Sequence, residues 1–257
     1  MTQKKIVLKH KNGDKLVGIF TRPKTKEKVP ILILCHGLFS HKNSNFYVRS
    51  ADYFKDKINT IRFDLRCHSE SDGQPVDLTL DKSVEDLELI LEYVKKLDFI
   101  SDIYLFGSSY TGMVSTIITS KHEEIKLLGL RAPVSDWAAI RESVMGPDGI
   151  AKWKKDGYIL HDCSFSDHDV KCGYKFYQSL LPYKDKIYQL AAQIKCPTLI
   201  VQGDADQSVP IEFTKRLYNS LTCPKEFKII KGANHPFDGK TDEMLKYFTD
   251  FFEKYEN

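Results

Sequence analysis

The residues Asp102-Ile103-Tyr104-Leu105-Phe106 form a mostly apolar run that leads directly into Gly107-Ser108-Ser109-Tyr110-Thr111-Gly112. A serine on a sharp strand-to-helix turn has its hydroxyl lifted above a sheet, and the next backbone N–H falls at a helix N-terminus. Such a turn needs small residues two positions before the serine and about two after it. Gly107 meets the first need of Ser109, while the later position holds Thr111, a bulkier β-branched residue, with Gly112 one further on. Ser108 would need Phe106 and Tyr110 as its small flanks, so Ser109 is the candidate nucleophile.

A serine hydroxyl at its ordinary pKa is a weak nucleophile; it needs an adjacent base, and the base needs an orienting carboxylate. Two segments downstream supply these types. One is Gly203-Asp204-Ala205-Asp206-Gln207-Ser208-Val209-Pro210, which follows an apolar run; the other is Lys231-Gly232-Ala233-Asn234-His235-Pro236-Phe237. Serine, aspartate and histidine thus arrive in the order expected when each follows the carboxyl end of a successive parallel strand. The turn His36-Gly37-Leu38-Phe39, after Ile31–Cys35, can direct the Leu38 N–H toward the same place. Together with the Tyr110 N–H it makes a candidate oxyanion hole, in which loss of one donor typically costs ~10²–10³ in turnover.

These residues require a scaffold that brings several strand ends to one edge. Lys5–Lys9 and Leu16–Thr21, joined by Lys11-Asn12-Gly13-Asp14, read as a hairpin, since Asn-Gly between alternating runs favours that turn. Ile31–Cys35, Asn59–Phe63, Asp102–Phe106, Lys126–Arg131, Pro197–Gln202 and Glu226–Ile230 read as strands. Leu80, Val84, Leu87, Leu91, Val94 and Leu97 recur at the spacing of an amphipathic helix. A helix follows Ser109 to about Lys121, and another closes the chain with Met244, Leu245, Phe248, Phe251 and Phe252 turned inward. Alternating β and α segments imply an α/β fold with a mostly parallel eight-stranded sheet, an N-terminal antiparallel hairpin and helices on both faces.

The stretch from Asp136 to about Ile194 breaks this alternation and is rich in aromatic residues. Its composition is that of an ordered insertion rather than a flexible linker. It is expected to be a cap, residues 136–194, on a core formed by residues 1–135 and 195–257. Trp137, Trp153 and Tyr158 either line a substrate pocket or form the cap's own core. His161, Cys163, His168 and Cys172 have ligand-like side chains, but their spacing matches no standard zinc pattern, so no metal is expected.

The chain has 257 residues, 38 basic and 35 acidic, for a formal charge of +3 with the lysines scattered. That length suits one sizeable core, and the charge distribution argues against a nucleic-acid partner. The lysines of Met1–His10 precede no apolar segment, and Val29–Cys35 is far too short to span a bilayer. The six cysteines form no C-x-x-C pair or dense framework, so they read as free thiols of a reducing compartment, and a cytoplasmic location is expected. The sequence leaves monomer and homodimer open.

Taken in register, His36-Gly37-Leu38, Arg62-Phe63-Asp64-Leu65-Arg66-Cys67-His68-Ser69-Glu70-Ser71-Asp72-Gly73, the elbow at Ser109, Gly203–Pro210 and His235 resemble the α/β-hydrolase superfamily. Within it, the likeness is to small bacterial cinnamoyl- and feruloyl-type carboxylesterases and to serine-aminopeptidase-like lipases. The resemblance covers nearly the whole chain except the cap. It implies the α/β-hydrolase fold and Asp206, three residues before Val209-Pro210, as the triad acid in place of Asp204. It also implies that His36 packs beneath the oxyanion turn and that His68 is a structural loop residue. The chain departs from the pattern at Cys67 and Ser69, where relatives carry glycine. The activity implied is cleavage of a small ester or thioester through an acyl-enzyme, with no cofactor. An acyl-thioesterase, a peptidase-like hydrolase and a non-catalytic small-ligand-binding protein on the same scaffold are the alternatives.

Overall fold

The computed structural model describes residues 1–256. The hairpin strands β1 (Thr2–Lys9) and β2 (Lys15–Arg22) pair antiparallel in the register Lys9↔Lys15, around the turn that contains Asn12-Gly13. Next come β3 (Val29–Cys35), α1 (Asn45–Phe54), β4 (Asn59–Phe63), α2 (Leu80–Val94), β5 (Ile100–Ser108), α3 (Tyr110–Thr119) and β6 (Ile125–Arg131). After β6 the chain forms α4 (Trp137–Asp156), a hairpin of β7 (Tyr158–His161) and β8 (Val170–Gly173), α5 (Tyr174–Leu180) and α6 (Lys186–Ala191). It returns through β9 (Thr198–Gly203), α7 (Ile211–Ser220), β10 (Lys225–Ile230) and α8 (Thr241–Tyr255).

The main sheet has eight strands in the order β1-β2-β4-β3-β5-β6-β9-β10. The six strands from β4 to β10 in that order are mutually parallel, and β2 joins β4 antiparallel. Both faces are covered, so the central strands are apolar throughout rather than alternating. Ile31, Ile33 and Cys35 face one buried cluster with α2 and α3. Leu32 and Leu34 face the other, beneath α1 and α8. This is the mostly parallel α/β architecture expected from the alternation of elements.

Outside the stretch 136–194, two helices go beyond the sequence reading. In α1, Phe46, Tyr47, Ser50, Ala51 and Phe54 form the buried face; their spacing of three, four and one is helical, but the exposed Val48 and Tyr53 blur the period. In α7 only Thr214 and Leu217 are buried, which leaves a weak pattern. The stretch from 136 to 194 adds no strand to the main sheet, yet it is regular. Helix α4 is broken at Gly146, whose φ of 66° and ψ of 175° are not helical, just before Pro147. Proline lacks the N–H that would continue the ladder. Trp137, Trp153, Phe176, Leu180, Ile187 and Ala191 share one buried cluster with residues of α2 and α3, so this stretch lies on the sheet's α3 side. Among the described residues, no helix is long and apolar enough to cross a membrane.

Candidate active site

Ser109 is the single residue between β5 and α3, with φ 53° and ψ −120°. This backbone region is sparsely populated by L-residues and costs on the order of 1–3 kcal/mol. Hydrogen bonds hold it: the Ser109 N–H donates to the Arg131 carbonyl, and the Ser109 carbonyl accepts from the N–H groups of Gly112 and Val134, each at 2.9 Å. The turn is tight enough to forbid side chains on both flanks. A Cβ at Gly107 would lie 2.4 Å from Ser115 Oγ, and one at Gly112 2.5 Å from Pro133 Cβ.

Thr111 fits because its side chain takes over local hydrogen bonding. Its Oγ1 accepts from the Ser108 N–H at 2.9 Å and donates to the Cys35 carbonyl at 3.0 Å. The departure from glycine thereby fastens the elbow to β3.

The turn presents the Ser109 hydroxyl to His235, on the loop after β10. Ser109 Oγ lies 2.9 Å from His235 Nε2, and His235 Nδ1 lies 2.8 Å from Asp206 Oδ2. The Asp206 carboxylate is buried and also accepts from Gln202 Nε2 at 2.9 Å, from the Ser208 N–H at 2.8 Å and from the Val209 N–H at 3.0 Å. Burial acts to raise its pKa, but the hydrogen bond and charge of His235 and the two N–H groups outweigh burial and hold it below the usual carboxylate range. Asp204 is exposed and accepts from the Gly232 N–H at 2.6 Å. Of the two aspartates, Asp206 is the one hydrogen-bonded to the imidazole.

Opposite the serine is the turn after β3. A Cβ on Gly37 would lie 3.3 Å from Ser109 Cβ, which measures how closely this turn approaches the elbow. The Leu38 N–H donates to no acceptor among the described residues. The Tyr110 N–H is the first of α3, one of the four that a helix leaves without an internal partner.

Two histidines brace this turn from below. His36 Nε2 accepts from the Leu65 N–H at 3.0 Å, so its proton is on Nδ1, which donates to the Gly37 carbonyl at 2.8 Å. His68 Nε2 accepts from the Phe39 N–H at 3.0 Å, and its Nδ1–H donates to the Arg66 carbonyl at 2.9 Å. Their rings sit 4.9 Å apart. Burial lowers the pKa of both, and His68, which also feels His36, is pushed down to about 3. Both are held neutral, and neither reaches Ser109 by a hydrogen bond.

Ser109 and His235 open onto a cavity of about 400 Å³, walled by the turn after β3, the start of α1, Arg131 and the loop from His235 to Thr241. A larger cavity of about 730 Å³ lies at the opposite, amino-terminal edge of β5 and β6 and contains none of these groups.

A family model described as serine aminopeptidase, S33, matches residues 26–155 and 167–238. The chain belongs to this family.

The similar proteins described next share less than a third of their aligned residues with this chain. A protein of Escherichia coli, the "Uncharacterized 31.7 kDa protein in traX-finO intergenic region", is 24% identical over 244 residues, covering 82% of this chain and 85% of that one. A monoglyceride lipase homolog of monkeypox virus is 27% identical over 99 residues, 38% of this chain and 33% of its own. The S33 chain also superimposes on Est1E from Butyrivibrio proteoclasticus, solved with ferulic acid bound, with a TM-score of 0.84. That structure is 23% identical and is matched over 97% of this chain and 98% of its own. The fold is that of the α/β hydrolases.

In this S33-family chain, the aromatic residues named from the sequence lie away from the cavity beside Ser109. Trp153 is fully buried, with its Nε1–H donating to the Cys172 carbonyl at 3.0 Å. Trp137 packs on Phe176 at 4.9 Å between ring centroids, and Tyr158 is exposed on β7. The two tryptophans thus belong to the shared core. His161, by contrast, reaches the cavity and packs on Phe39 at 5.1 Å. Arg131 was not singled out in the sequence. Its signal was available: it is the charged residue that follows the apolar run Leu127–Leu130 at the end of β6, next to a cluster of strand ends.

Proposed function

We propose that this protein is a serine hydrolase that cleaves small carboxylic esters through an acyl-enzyme intermediate. The observation that carries this reading is the continuous hydrogen-bonded chain Ser109 Oγ–His235 Nε2, His235 Nδ1–Asp206, built on a strained elbow. In this reading His235 takes the Ser109 proton as the oxygen attacks the ester carbonyl. The developing oxyanion is stabilised by the N–H groups of Leu38 and Tyr110. The resulting imidazolium, oriented by Asp206, protonates the departing alcohol. Water then repeats the sequence on the acyl-enzyme, releasing the acid and restoring Ser109. No metal or organic cofactor enters these steps.

The stretch 136–194 acts as the cap, with His161, Asp162 and Ser164 reaching the rim of the cavity. A cavity near 400 Å³ suits a small substrate. The ferulic acid held by Est1E makes an ester of an aromatic or unsaturated acid a reasonable class to test. Because the family description is that of an aminopeptidase, amide cleavage is the second reading, and acyl thioesters are the third class that one triad serves.

Labelling with a fluorophosphonate probe is the first experiment. Wild type should label and Ser109→Ala should not; folded but unlabelled wild type would overturn the reading. Initial rates on p-nitrophenyl esters, acyl-CoA thioesters and aminoacyl p-nitroanilides then rank the three classes, with esters expected first.

A further inference from the structure

Arg131 is a buried cation without an anion. Only 8% of its surface is exposed, and among the described residues no carboxylate lies within 4.0 Å of its guanidinium. Its hydrogen bonds go to neutral acceptors, from Nε to Ser108 Oγ at 2.8 Å and from Nη1 to the Pro236 carbonyl at 3.2 Å. The guanidinium lies 4.3 Å from the ring centroid of Phe46 and 5.6 Å from that of Phe237. These rings fix it in place, but a ring quadrupole offsets only a small part of the cost of a buried charge. Of the nearby groups that favour its charge, Tyr47 is kept a neutral phenol by burial, Asp206 is already engaged by His235, and Asp238 is exposed to solvent.

The remaining exposed part of Arg131 faces the cavity that also contains Ser109 and His235. Two helices open onto the same space. Asn45 and Phe46, the first residues of α1, and Thr241, the first of α8, are in its wall. Neither helix has a side-chain hydrogen bond from its N-cap residue, Ser44 or Lys240. The positive end of the α1 dipole, with no acidic residue in its first turn, is therefore turned toward the guanidinium's side of the cavity, whereas Asp242 and Glu243 offset the dipole of α8. The two carboxylates in the wall, Asp162 and Asp238, are exposed at its mouth, where water screens them. The buried part of the cavity wall holds the Arg131 guanidinium and, among the described residues, no carboxylate.

We propose that Arg131, with the first turn of α1, binds a carboxylate carried by the substrate, so that the preferred esters are monoanionic. A planar guanidinium suits this ligand because its fork matches two carboxylate oxygens. The small cavity places the carboxylate a few bonds from the scissile carbonyl, as in a half-ester of a short dicarboxylic acid. This inference rests on the ester-hydrolase reading for its turnover assay and on direct binding for its independent test.

The assay compares p-nitrophenyl hemiglutarate, a monoanion, with the neutral p-nitrophenyl pentanoate. Wild type should favour the anion at least tenfold in kcat/KM. Because Arg131 also ties Ser108 to Pro236, Arg131→Gln will slow both substrates; the decisive quantity is their ratio, which should fall at least tenfold. Arg131→Lys, which keeps charge without the fork, should retain part of the preference and covers failure of the glutamine variant to fold. No preference in wild type, or an unchanged ratio in Arg131→Gln, would overturn the proposal and leave Arg131 a positioning residue. Binding of monomethyl glutarate to Ser109→Ala, measured by calorimetry against neutral dimethyl glutarate, does not depend on turnover. Equal or absent binding of the monoanion also overturns the site, whereas failure of fluorophosphonate labelling overturns only the hydrolase reading.

Discussion

Of the buried cations at the carboxyl edge of the sheet, Lys42 and Arg131 are treated by the fold in opposite ways. Lys42, 1% exposed, has its Nζ 2.6 Å from Asp64 Oδ2. Its own N–H donates to Asp64 Oδ1 at 2.7 Å, and its carbonyl accepts from Arg62 Nη1 at 2.7 Å. Arg131 is nearly as buried, yet its acceptors are a hydroxyl and a carbonyl. A buried charge with a complete set of partners stiffens its surroundings, whereas one left without an anion keeps its attraction for something not yet bound. The Lys42–Asp64 pair belongs to the brace under the turn after β3. Arg131 lines the cavity that holds Ser109 and His235. The difference teaches where stability and chemistry separate in this molecule.

The largest expected effect tests the chemical side. Ser109→Ala and His235→Ala should each reduce kcat by ~10⁴–10⁶, with Asp206→Asn losing ~10⁴. Their melting temperatures should stay within a few degrees of wild type. Asp204→Asn serves as the control, since its carboxylate contacts only the Gly232 N–H, and kcat should change less than threefold. A large loss in Asp204→Asn with little loss in Asp206→Asn would reassign the acid.

On the bracing side, Asp64→Ala leaves Lys42 buried with only its longer, 3.4 Å contact to the exposed Glu70 and should destabilise the fold by about 2–4 kcal/mol. Denaturant unfolding measures this directly. Replacing both partners, as Lys42→Met with Asp64→Leu, should recover a good part of the loss, because paired removal avoids the stranded charge. If Asp64→Ala proved as stable as wild type and lost only activity, the separation of brace from site would fail.

Acid pH probes the same brace through its histidines. His68 titrates at about 3 in the folded protein against an ordinary value near 6.5, and the His36 pKa is lowered in the same direction by burial. Between these values the unfolded chain binds more protons, so stability is complete above pH 6.5 and falls as the pH drops toward 3. Each such histidine contributes a slope approaching roughly 1.4 kcal/mol per pH unit within the window. Unfolding midpoints at pH 7.5, 6, 5 and 4.5 should show this decline, and His68→Gln should make it shallower, with His36, His41 and His161, all lowered by burial, supplying the remainder. The depressed Asp64 and Asp206 carboxylates act lower, being lost as acid protonates them below their ordinary range.

The two regions also differed in how much the sequence revealed. The parallel strands were legible because a strand buried on both faces must be continuously apolar, and Asn59–Phe63 was located to the residue. The proximity of Ser109 and His235, which lie 126 positions apart, was suggested by their placement after strands, since parallel topology brings those ends to one edge. Helix α1 and the unpaired state of Arg131 were not legible. The first is hidden by exposed apolar residues on its outer face. The second is a property of what does not surround the guanidinium, and a sequence carries no record of which carboxylates stay away. Likewise, nothing in the spacing of Trp137 and Trp153 distinguished a pocket wall from a core until Phe176 and Cys172 were seen against them.

The smallest expected effect concerns the loop after β4, which contains Cys67 and Ser69. Both adopt left-handed backbone, at φ 68° and 45°, which explains why glycine suits these positions and costs an L-residue roughly 1–2 kcal/mol. Cys67 is buried, and its Sγ occupies the space above Gly73, where a Cβ would lie 2.9 Å from it. A glycine there would relieve strain but open a gap. Ser69 is exposed, and its side chain makes no hydrogen bond among the described residues. Ser69→Gly should therefore stabilise the protein by about 0.5 kcal/mol, the relief of strain less the added freedom of the unfolded chain. A denaturant midpoint should move up slightly with an unchanged slope, and Cys67→Gly should move it down. If Ser69→Gly instead destabilised the fold while raising turnover, the strain would belong to the site rather than to the brace.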